Sequence, residues 1–195
     1  MTTSSKPILM QHENLNTLNE NPLMSVPTSQ HHIFFLDHDL IEPKNYRHLI
    51  TTLFHSDEKD EVTIYINSNG GCVDIALAII EGLKHTTAST SAVIMGACHS
   101  AASMIALNCQ KVIVLDSAYF LIHTASFLTL GTTNNVQSHT EFIVKKIENL
   151  LHQTYQGFLT PKELEKIKTG TEIWLDAAEA RLRLRKKASL NKLPK

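Results

Sequence analysis

The chain has 195 residues, of which 43% are hydrophobic and 19% charged, and its net charge at pH 7 is −1. This length suits one domain with a sizeable core, and the composition is ordinary for a soluble globular protein. The near-neutral charge gives no reason to expect nucleic acid or an anionic membrane as a partner. A run of about 18 apolar residues is absent from the sequence, so no membrane-spanning segment is predicted.

Cysteine usage and the first residues indicate an intracellular chain. The three cysteines, Cys72, Cys98 and Cys109, are too few for a disulfide framework and have no metal-ligand spacing. Residues 1–6 are polar and are not followed by the apolar core of a secretory signal. We therefore expect reduced thiols and a cytoplasmic location.

The predicted elements alternate between strands and helices after a polar leading segment. Residues 1–30 contain three prolines among Asn, Ser and Thr, which predicts a flexible arm before a domain at 31–195. β-Branched and aromatic runs predict strands, and apolar residues at helical spacing predict helices. The predicted strands are 33–36, 62–66, 91–95, 112–115 and 119–122, and the predicted helices are 46–53, 73–84 and 100–108. This alternation predicts an α/β fold with mainly parallel strands.

The last third of the chain is predicted to be helical. One face of a long helix is formed by Ile143, Ile147, Leu150, Leu151 and Thr154. Residues 160–163 have the pattern of a capping box with proline at the first helical position. That helix should end at Gly170. Another helix begins at 176–179, and the basic stretch 181–187 is predicted to be its solvated end.

A serine at a predicted strand-to-helix junction carries the functional argument. The Ser100 hydroxyl lies at a helix N-terminus, where unpaired N–H groups can hold a developing negative charge. A serine nucleophile needs a base, usually a histidine oriented by a carboxylate, and His123 and Glu172 are the candidates. Gly71 lies in a turn with a bare backbone, so its N–H and that of Ala101 are candidates for an oxyanion hole. Together these residues suggest a serine hydrolase.

Each of these residues also has an ordinary structural interpretation. A histidine at a strand end, a serine in a small-residue helix and a Gly-Gly turn all occur without any catalytic function. Ser103 is a second candidate nucleophile, but it lies one turn deeper in the helix and is expected to be less exposed. Residues 31–32 and 37–39 contain histidines and aspartates in no standard metal spacing, so no metal site is predicted. Cys98 has no matched partner and is interpreted as a packing residue.

Taken together, the motifs resemble those of the ClpP family, the proteolytic subunits of Clp proteases. The resemblance covers residues 31–180 and depends on the segments Ile66–Gly71, Gly96–Ser103, Ile122–His123 and Trp174–Ala180. The Ser-Ala-Ala-Ser form of the second motif is similar to that of bacteriophage ClpP-like peptidases. The resemblance implies a ClpP/crotonase-like spiral of βαβ units with a C-terminal helical extension, the handle.

The resemblance also implies roles for the candidate residues. Ser100 matches the family nucleophile, His123 its base, and Gly71 and Ala101 its oxyanion donors, while Glu172 stands in the place of its triad aspartate. The chain would be a serine endopeptidase that cleaves unfolded polypeptides through an acyl-enzyme and binds no cofactor. Its implied partners are further copies of itself in a ring and an AAA+ unfoldase, which uses ATP.

Four positions depart from the family pattern. Asn69 replaces the usual proline, Glu172 the aspartate, and His99 a small residue beside the nucleophile. Only Gly131 remains of the glycine-rich stretch that follows the histidine in the family. Asparagine tolerates turn conformations, so the turn is expected to survive, whereas the larger His99 is expected to crowd the acyl pocket.

Three other functions stay open from the sequence. They are an inactive structural or regulatory ring subunit of a Clp complex, a phage protease that processes virion proteins, and an acyl-CoA enzyme of the crotonase type. The presence of both Ser100 and His123 favours a peptidase over the first and the third.

Overall fold

Six strands and six α-helices are present in a computed structural model that describes residues 29–190. The strands are β1 (His31–Leu36), β2 (Glu61–Ser68), β3 (Ser89–His99), β4 (Lys111–Val114), β5 (Tyr119–Ile122) and β6 (Ile173–Asp176). The helices are α1 (Arg47–His55), α2 (Val73–His85), α3 (Ala101–Asn108), α4 (Thr133–Tyr155), α5 (Pro161–Lys168) and α6 (Ala177–Leu190). The predicted arm at 1–30 lies outside the described residues, apart from residues 29 and 30.

The strands form one sheet in the order β1-β2-β3-β5-β6, and β4 pairs with β3 beside β5. All pairs are parallel except β5 with β6, which is antiparallel. The predicted α/β class with mainly parallel strands and a C-terminal helix is confirmed. Strand β6 was not predicted, because four residues between two helices carry too short an alternation to identify a strand.

Helix α3 is the centre of the core, and it begins directly after the candidate nucleophile. Its residues 101–107 are all buried, and three of them are alanines. Small side chains allow a helix to approach a sheet closely, and a helix that is apolar all round is expected to be buried. The start of α3 is therefore fixed by packing on every side.

An irregular pairing of β2 with β3 extends β3 beyond its predicted end at residue 95. Ile66 pairs with Ile94, but Ser68 pairs with Cys98, so β3 carries extra residues at this point. Asn67 Oδ1 accepts a hydrogen bond from the Ala97 N–H at 2.9 Å. A Cβ on Gly96 would lie only 2.5 Å from the same Oδ1, so a side chain there would push the Asn67 amide out of this bond. The bulge brings the end of β3 to the β5 side of the sheet.

The C-terminal helices are tied together by charged groups. The capping box is confirmed, because Thr160 Oγ1 accepts from the Glu163 N–H and Glu163 accepts from the Thr160 N–H. Arg183 binds both carboxylate oxygens of Glu163 at 2.8 Å, and Lys187 Nζ donates to the Thr154 carbonyl. The basic stretch of α6 is therefore not simply a solvated helix end. Within residues 29–190, every helix is too short or too polar to cross a bilayer.

Candidate active site

Ser100 connects β3 to α3 in a backbone conformation that side-chain-bearing residues rarely adopt. Its φ is +49° and its ψ is −123°, and within residues 29–190 it is the only non-glycine residue with positive φ. Strain of this kind persists only where the surroundings hold it, and it is concentrated at functional sites. On the strand side, the Ser100 N–H donates to the Leu121 carbonyl of β5 at 2.7 Å. The turn therefore holds the half-buried Ser100 side chain in a fixed position.

A buried pair of hydroxyls supports the same turn from behind. Ser103 Oγ donates to the Ser100 carbonyl at 2.7 Å, and the Tyr155 hydroxyl lies 2.7 Å from Ser103 Oγ. Ser103 is 0% exposed, so it is less exposed than Ser100, as expected from the sequence. Burial raises the pKa of Tyr155 well above its usual value, which keeps the phenol protonated. Tyr155 ends α4, so this bond ties the handle helix to the nucleophile turn.

The Gly70–Gly71 turn packs directly against the Ser100 turn. The two glycines have φ of +87° and +131°. A Cβ on Gly70 would lie 2.6 Å from the His99 carbonyl oxygen and 2.9 Å from the Ala101 nitrogen, so the site has no room for a side chain there. Leu40 holds the turn, because its N–H donates to the Gly70 carbonyl at 2.7 Å.

Two backbone N–H groups are left free by these contacts. In the described part of the chain, neither the Gly71 N–H nor the Ala101 N–H has a protein acceptor. The first belongs to an exposed turn, and the second belongs to the first residue of α3, where helical N–H groups lack intrahelical partners. Both predicted oxyanion donors are thus available to an oxygen bound beside Ser100.

His123 follows β5 and shares a cavity of about 240 Å³ with Ser100. The other residues that line this cavity are Asn69, Gly71, Val73, Ala125 and Ser126. His123 Nδ1 lies 2.6 Å from the Thr124 carbonyl oxygen. A carbonyl oxygen can only accept, so Nδ1 carries the proton and Nε2 is left as the base. Among residues 29–190, no hydrogen bond joins His123 to Ser100; such bonds are often long in free enzymes.

Glu172 directly precedes β6 and His123 directly follows β5, but the Glu172 carboxylate is bound to another residue. Ile122 pairs with Ile173 in the antiparallel β5–β6 ladder, so His123 and Glu172 are the next pair outward. Glu172 Oε2 accepts a hydrogen bond from Trp174 Nε1 at 3.1 Å, and within the described range it makes none to His123. The role of Glu172 as the orienting carboxylate stays a prediction.

His99 does not lie in the acyl pocket, contrary to expectation. Its ring packs edge-on against Tyr119 and Trp174, with centroid distances of 4.9 and 5.5 Å, and it lines neither cavity that contains Ser100. His99 is 8% exposed, and its Nε2 is buried without a partner among the described residues. Burial, and then the neighbouring His123, lower the pKa of His99, so its imidazole is neutral at pH 7. The physical reason is the packing of its ring against Tyr119 and Trp174, which holds it outside the Ser100 cavity.

A larger cavity of about 500 Å³ adjoins the Ser100 cavity. The two share Gly71, Val73, Ala125 and Ser126, which makes them one continuous groove. The far part is lined mainly by apolar side chains, with two charged ones: Leu77, Phe127, Ile143, Ile147, Leu150, Asp74 and Lys146. An apolar groove that begins at a nucleophile and two free N–H groups suits acyl transfer from an extended apolar substrate.

Two groups of the site were not identified from the sequence. Tyr155 lies on the same helical face as Leu151 and Thr154, so its burial could have been predicted, although its partner Ser103 could not. Nothing in the sequence marks the Thr124 carbonyl as the partner of His123, because every residue carries a carbonyl.

Comparison with models of known protein families matches residues 23–182 to the family described as Clp protease. This range covers most of the chain and contains Gly71, Ser100, Ala101, His123 and Glu172. The resemblance seen in the sequence motifs is therefore confirmed at the level of the family. The closeness to bacteriophage members stays a prediction.

Proposed function

The chain belongs to the Clp protease family, and we propose that it is a serine endopeptidase, the proteolytic subunit of an ATP-dependent Clp-type protease. One observation carries the proposal. Ser100 is held in a strained conformation at the N-terminus of a buried helix, in a cavity that it shares with His123 and Gly71. A strained serine next to a base and free N–H groups is the arrangement that acyl transfer requires.

In the proposed reaction, Ser100 Oγ attacks the carbonyl carbon of a peptide bond while its proton passes to His123 Nε2. The π electrons of the carbonyl move to its oxygen, which the N–H groups of Gly71 and Ala101 bind. His123 then gives the proton to the amine nitrogen as the C–N bond breaks, leaving an ester on Ser100. A water molecule, deprotonated by His123, hydrolyses the ester and restores the serine.

The proposed substrate is an unfolded polypeptide. An extended chain fits the continuous groove, and its apolar lining favours apolar side chains next to the cleaved bond. A folded protein could not place its backbone within reach of a half-buried serine. Unfolding by a separate AAA+ protein, which would consume the ATP, is part of the proposal, and this chain itself needs no cofactor.

A ring of identical subunits is also proposed, as the family resemblance implies. Several large apolar side chains are exposed on the single chain: Ile33, Phe35, Ile41, Leu128, Leu130 and Phe142. Exposed apolar surface of this extent marks sites of association. A single peptidase domain over 31–195 and a cytoplasmic location complete the proposal.

The proposal is tested by labelling the chain with a fluorophosphonate probe, which reacts with activated serines, and locating the modified peptide by mass spectrometry. We expect labelling at Ser100 that is lost in Ser100→Ala and in His123→Ala. Ser138→Ala, on the exposed face of α4, is the matched serine control and should label like the wild type.

A second candidate function is an inactive ring subunit, favoured by the missing bonds from His123 to Ser100 and to Glu172 among residues 29–190. Absence of Ser100 labelling in the assembled protein would contradict the peptidase proposal and leave this candidate. Labelling that survives in His123→Ala would contradict the proposed base.

A further inference from the structure

The chain contains a single tryptophan, Trp174 on β6, which contacts residues on both sides of the candidate base. Its indole N–H donates to Glu172 Oε2 at 3.1 Å. The edge of the same ring system meets the buried His99 imidazole, with a centroid distance of 5.5 Å. The reaction proposed above gives Trp174 no part, although it binds the carboxylate that should orient His123.

The register of the sheet places all of these side chains on one face. Residues directly opposite each other in paired strands project to the same side, as do residues two positions apart. His99 is opposite Leu121, and Leu121 is opposite Trp174. His123 is two residues from Leu121, and Glu172 is two residues from Trp174. The same register, continued one position past Ile122 and Ile173, puts the candidate base opposite the candidate carboxylate, with Trp174 two residues further along.

The hydrogen bonds divide the expected triad into two separate pairs. His123 Nδ1 donates to the Thr124 carbonyl at 2.6 Å, and Glu172 accepts from Trp174 at 3.1 Å. The donor of the expected His123–Glu172 bond is thus occupied by a carbonyl, and one of the two Glu172 oxygens is bound to the indole. For that bond to form, His123 has to leave the carbonyl and the carboxylate has to turn from the indole towards the imidazole.

We propose that Trp174 is a positioning residue that holds Glu172 away from His123, so that the site has two alternative arrangements. In one, the Thr124 carbonyl orients the imidazole; in the other, the Glu172 carboxylate does. The inference rests on the proposed function, because it assigns a control to the same site. The carboxylate arrangement is the more reactive, because a negative charge stabilises the imidazolium that forms during attack.

The energetics keep both arrangements accessible. Trp174 is 57% exposed and Glu172 is also exposed, so their hydrogen bond competes with water and its net contribution is small. The indole itself is held in place by its edge contact with the buried His99. Replacing Trp174 by phenylalanine therefore removes the N–H donor while keeping an aromatic ring against His99.

The test compares the rate of fluorophosphonate acylation at Ser100 in the wild type, Trp174→Phe, Glu172→Ala and the double variant. We expect Trp174→Phe to react about two- to tenfold faster than wild type, the range that one net hydrogen bond represents. Glu172→Ala should react more slowly than the wild type, because only the carbonyl arrangement is left to it, and adding Trp174→Phe to Glu172→Ala should give no gain in rate. Tyr119→Phe removes a hydroxyl from the same aromatic cluster without touching Glu172, and it should leave the rate unchanged.

A second measurement reports the bond between His123 and Glu172 directly, whether or not Ser100 reacts. The Nδ1–H proton of His123, followed by NMR, should move downfield in Trp174→Phe but not in the double variant, because a carboxylate is a stronger acceptor than a carbonyl. An unchanged or slower acylation rate in Trp174→Phe, with no movement of this proton, would overturn the inference while leaving the peptidase proposal standing. Movement of the proton in a chain that never labels would overturn the peptidase proposal and support the positioning role. An equal gain in acylation rate from Trp174→Phe in the wild type and in Glu172→Ala would also contradict the inference.

Discussion

The two sides of the Ser100 cavity are built differently. On the nucleophile side, the Ser100 turn is packed against Gly70, bound to Leu121 and supported by the buried hydroxyls of Ser103 and Tyr155. On the base side, His123 is held by one backbone carbonyl, and its candidate carboxylate is bound to an exposed indole. The strained backbone of Ser100 therefore lies on the side of the cavity where packing and hydrogen bonds keep it in place.

This difference has a chemical consequence. A nucleophile must meet the substrate carbonyl in one geometry, so rigidity is useful there. A base is reoriented by exchanging one hydrogen bond for another, which an exposed site allows at little cost. Substitutions on the nucleophile side should therefore have large effects on both reactivity and stability, and those on the base side should have small ones.

The largest effect is expected for Gly70→Ala. The added Cβ would lie 2.6 Å from the His99 carbonyl oxygen at a φ of +87°, so the turn must move away from Ser100. Displacing one oxyanion donor costs about 100-fold or more in rate. Acylation of Ser100 by a fluorophosphonate should therefore fall at least that far.

Gly170→Ala is the matched control for this substitution. Gly170 has nearly the same φ, +91°, but a Cβ there would meet nothing within 4 Å. It should lose about 1 kcal/mol of unfolding free energy from backbone strain alone and keep its acylation rate. Equal acylation rates in the two variants would contradict a rigid nucleophile side.

The next effect is expected for the two hydroxyls behind Ser100. Ser103→Ala removes both short bonds of the Ser103 hydroxyl and leaves the buried Tyr155 hydroxyl only the long 3.5 Å contact to the Ser100 carbonyl, which should cost about 1–3 kcal/mol. Tyr155→Phe leaves the bond from Ser103 to the Ser100 carbonyl intact and should cost about 1 kcal/mol. In denaturant unfolding, the double variant should lose less than the sum of the two. A strictly additive result would mean that the two hydroxyls do not act as a unit.

The features of the site and of the fold that depend on local sequence could be predicted. The strand-to-helix junction at Ser100, the Gly70–Gly71 turn and the capping box at Thr160 each occupy a few consecutive residues. Their propensities act over the same short distance, so a single sequence contains the information. The same holds for the strand and helix alternation that gave the fold class.

The parts that depend on pairing between distant segments could not be predicted. Strand β6 exists because it pairs with β5 about fifty residues earlier, and that pairing decides where Glu172 and Trp174 lie. His99 is held outside the acyl pocket because its ring packs against Tyr119 of β5 and Trp174 of β6, two segments far from it in sequence. The Tyr155–Ser103 bond joins two helices that no local pattern relates.

A third prediction concerns the ion pair between Glu163 of α5 and Arg183 of α6. Arg183 holds the pKa of Glu163 down to about 2, from a usual value of 4.5. A lowered folded-state pKa adds stability above pH 4.5, and this stability is lost as the pH falls from 4.5 towards 2. Glu163→Gln should therefore be less stable at pH 7 by about 1–2 kcal/mol and should lose less stability on acidification.

The Glu163→Gln variant also tests how far the rigid nucleophile side of the cavity extends. Its acylation rate at Ser100 should match the wild type, because within residues 29–190 no hydrogen bond or ion pair joins Glu163 or Arg183 to the Ser100 turn. The exposed pair Lys168–Glu165 supplies the control, and Glu165→Gln should change the unfolding free energy by less than about 0.5 kcal/mol. A large rate change in Glu163→Gln would show that α5 and α6 are part of the rigid side.

The smallest effect is expected for His99→Phe, on the face shared with the base. The substitution removes a buried nitrogen that has no partner within residues 29–190 and keeps an aromatic ring against Tyr119 and Trp174, so stability at pH 7 should be unchanged or slightly higher. Burial lowers the pKa of His99 below its usual 6.5, so the folded wild type resists protonation and loses stability as the pH falls below that value. His99→Phe should lose less over the same interval, measured by denaturant unfolding at pH 7.5 and about pH 5. If both proteins lose stability equally, a different group accounts for the acid sensitivity, and the imidazole of His99 is not held neutral by its burial.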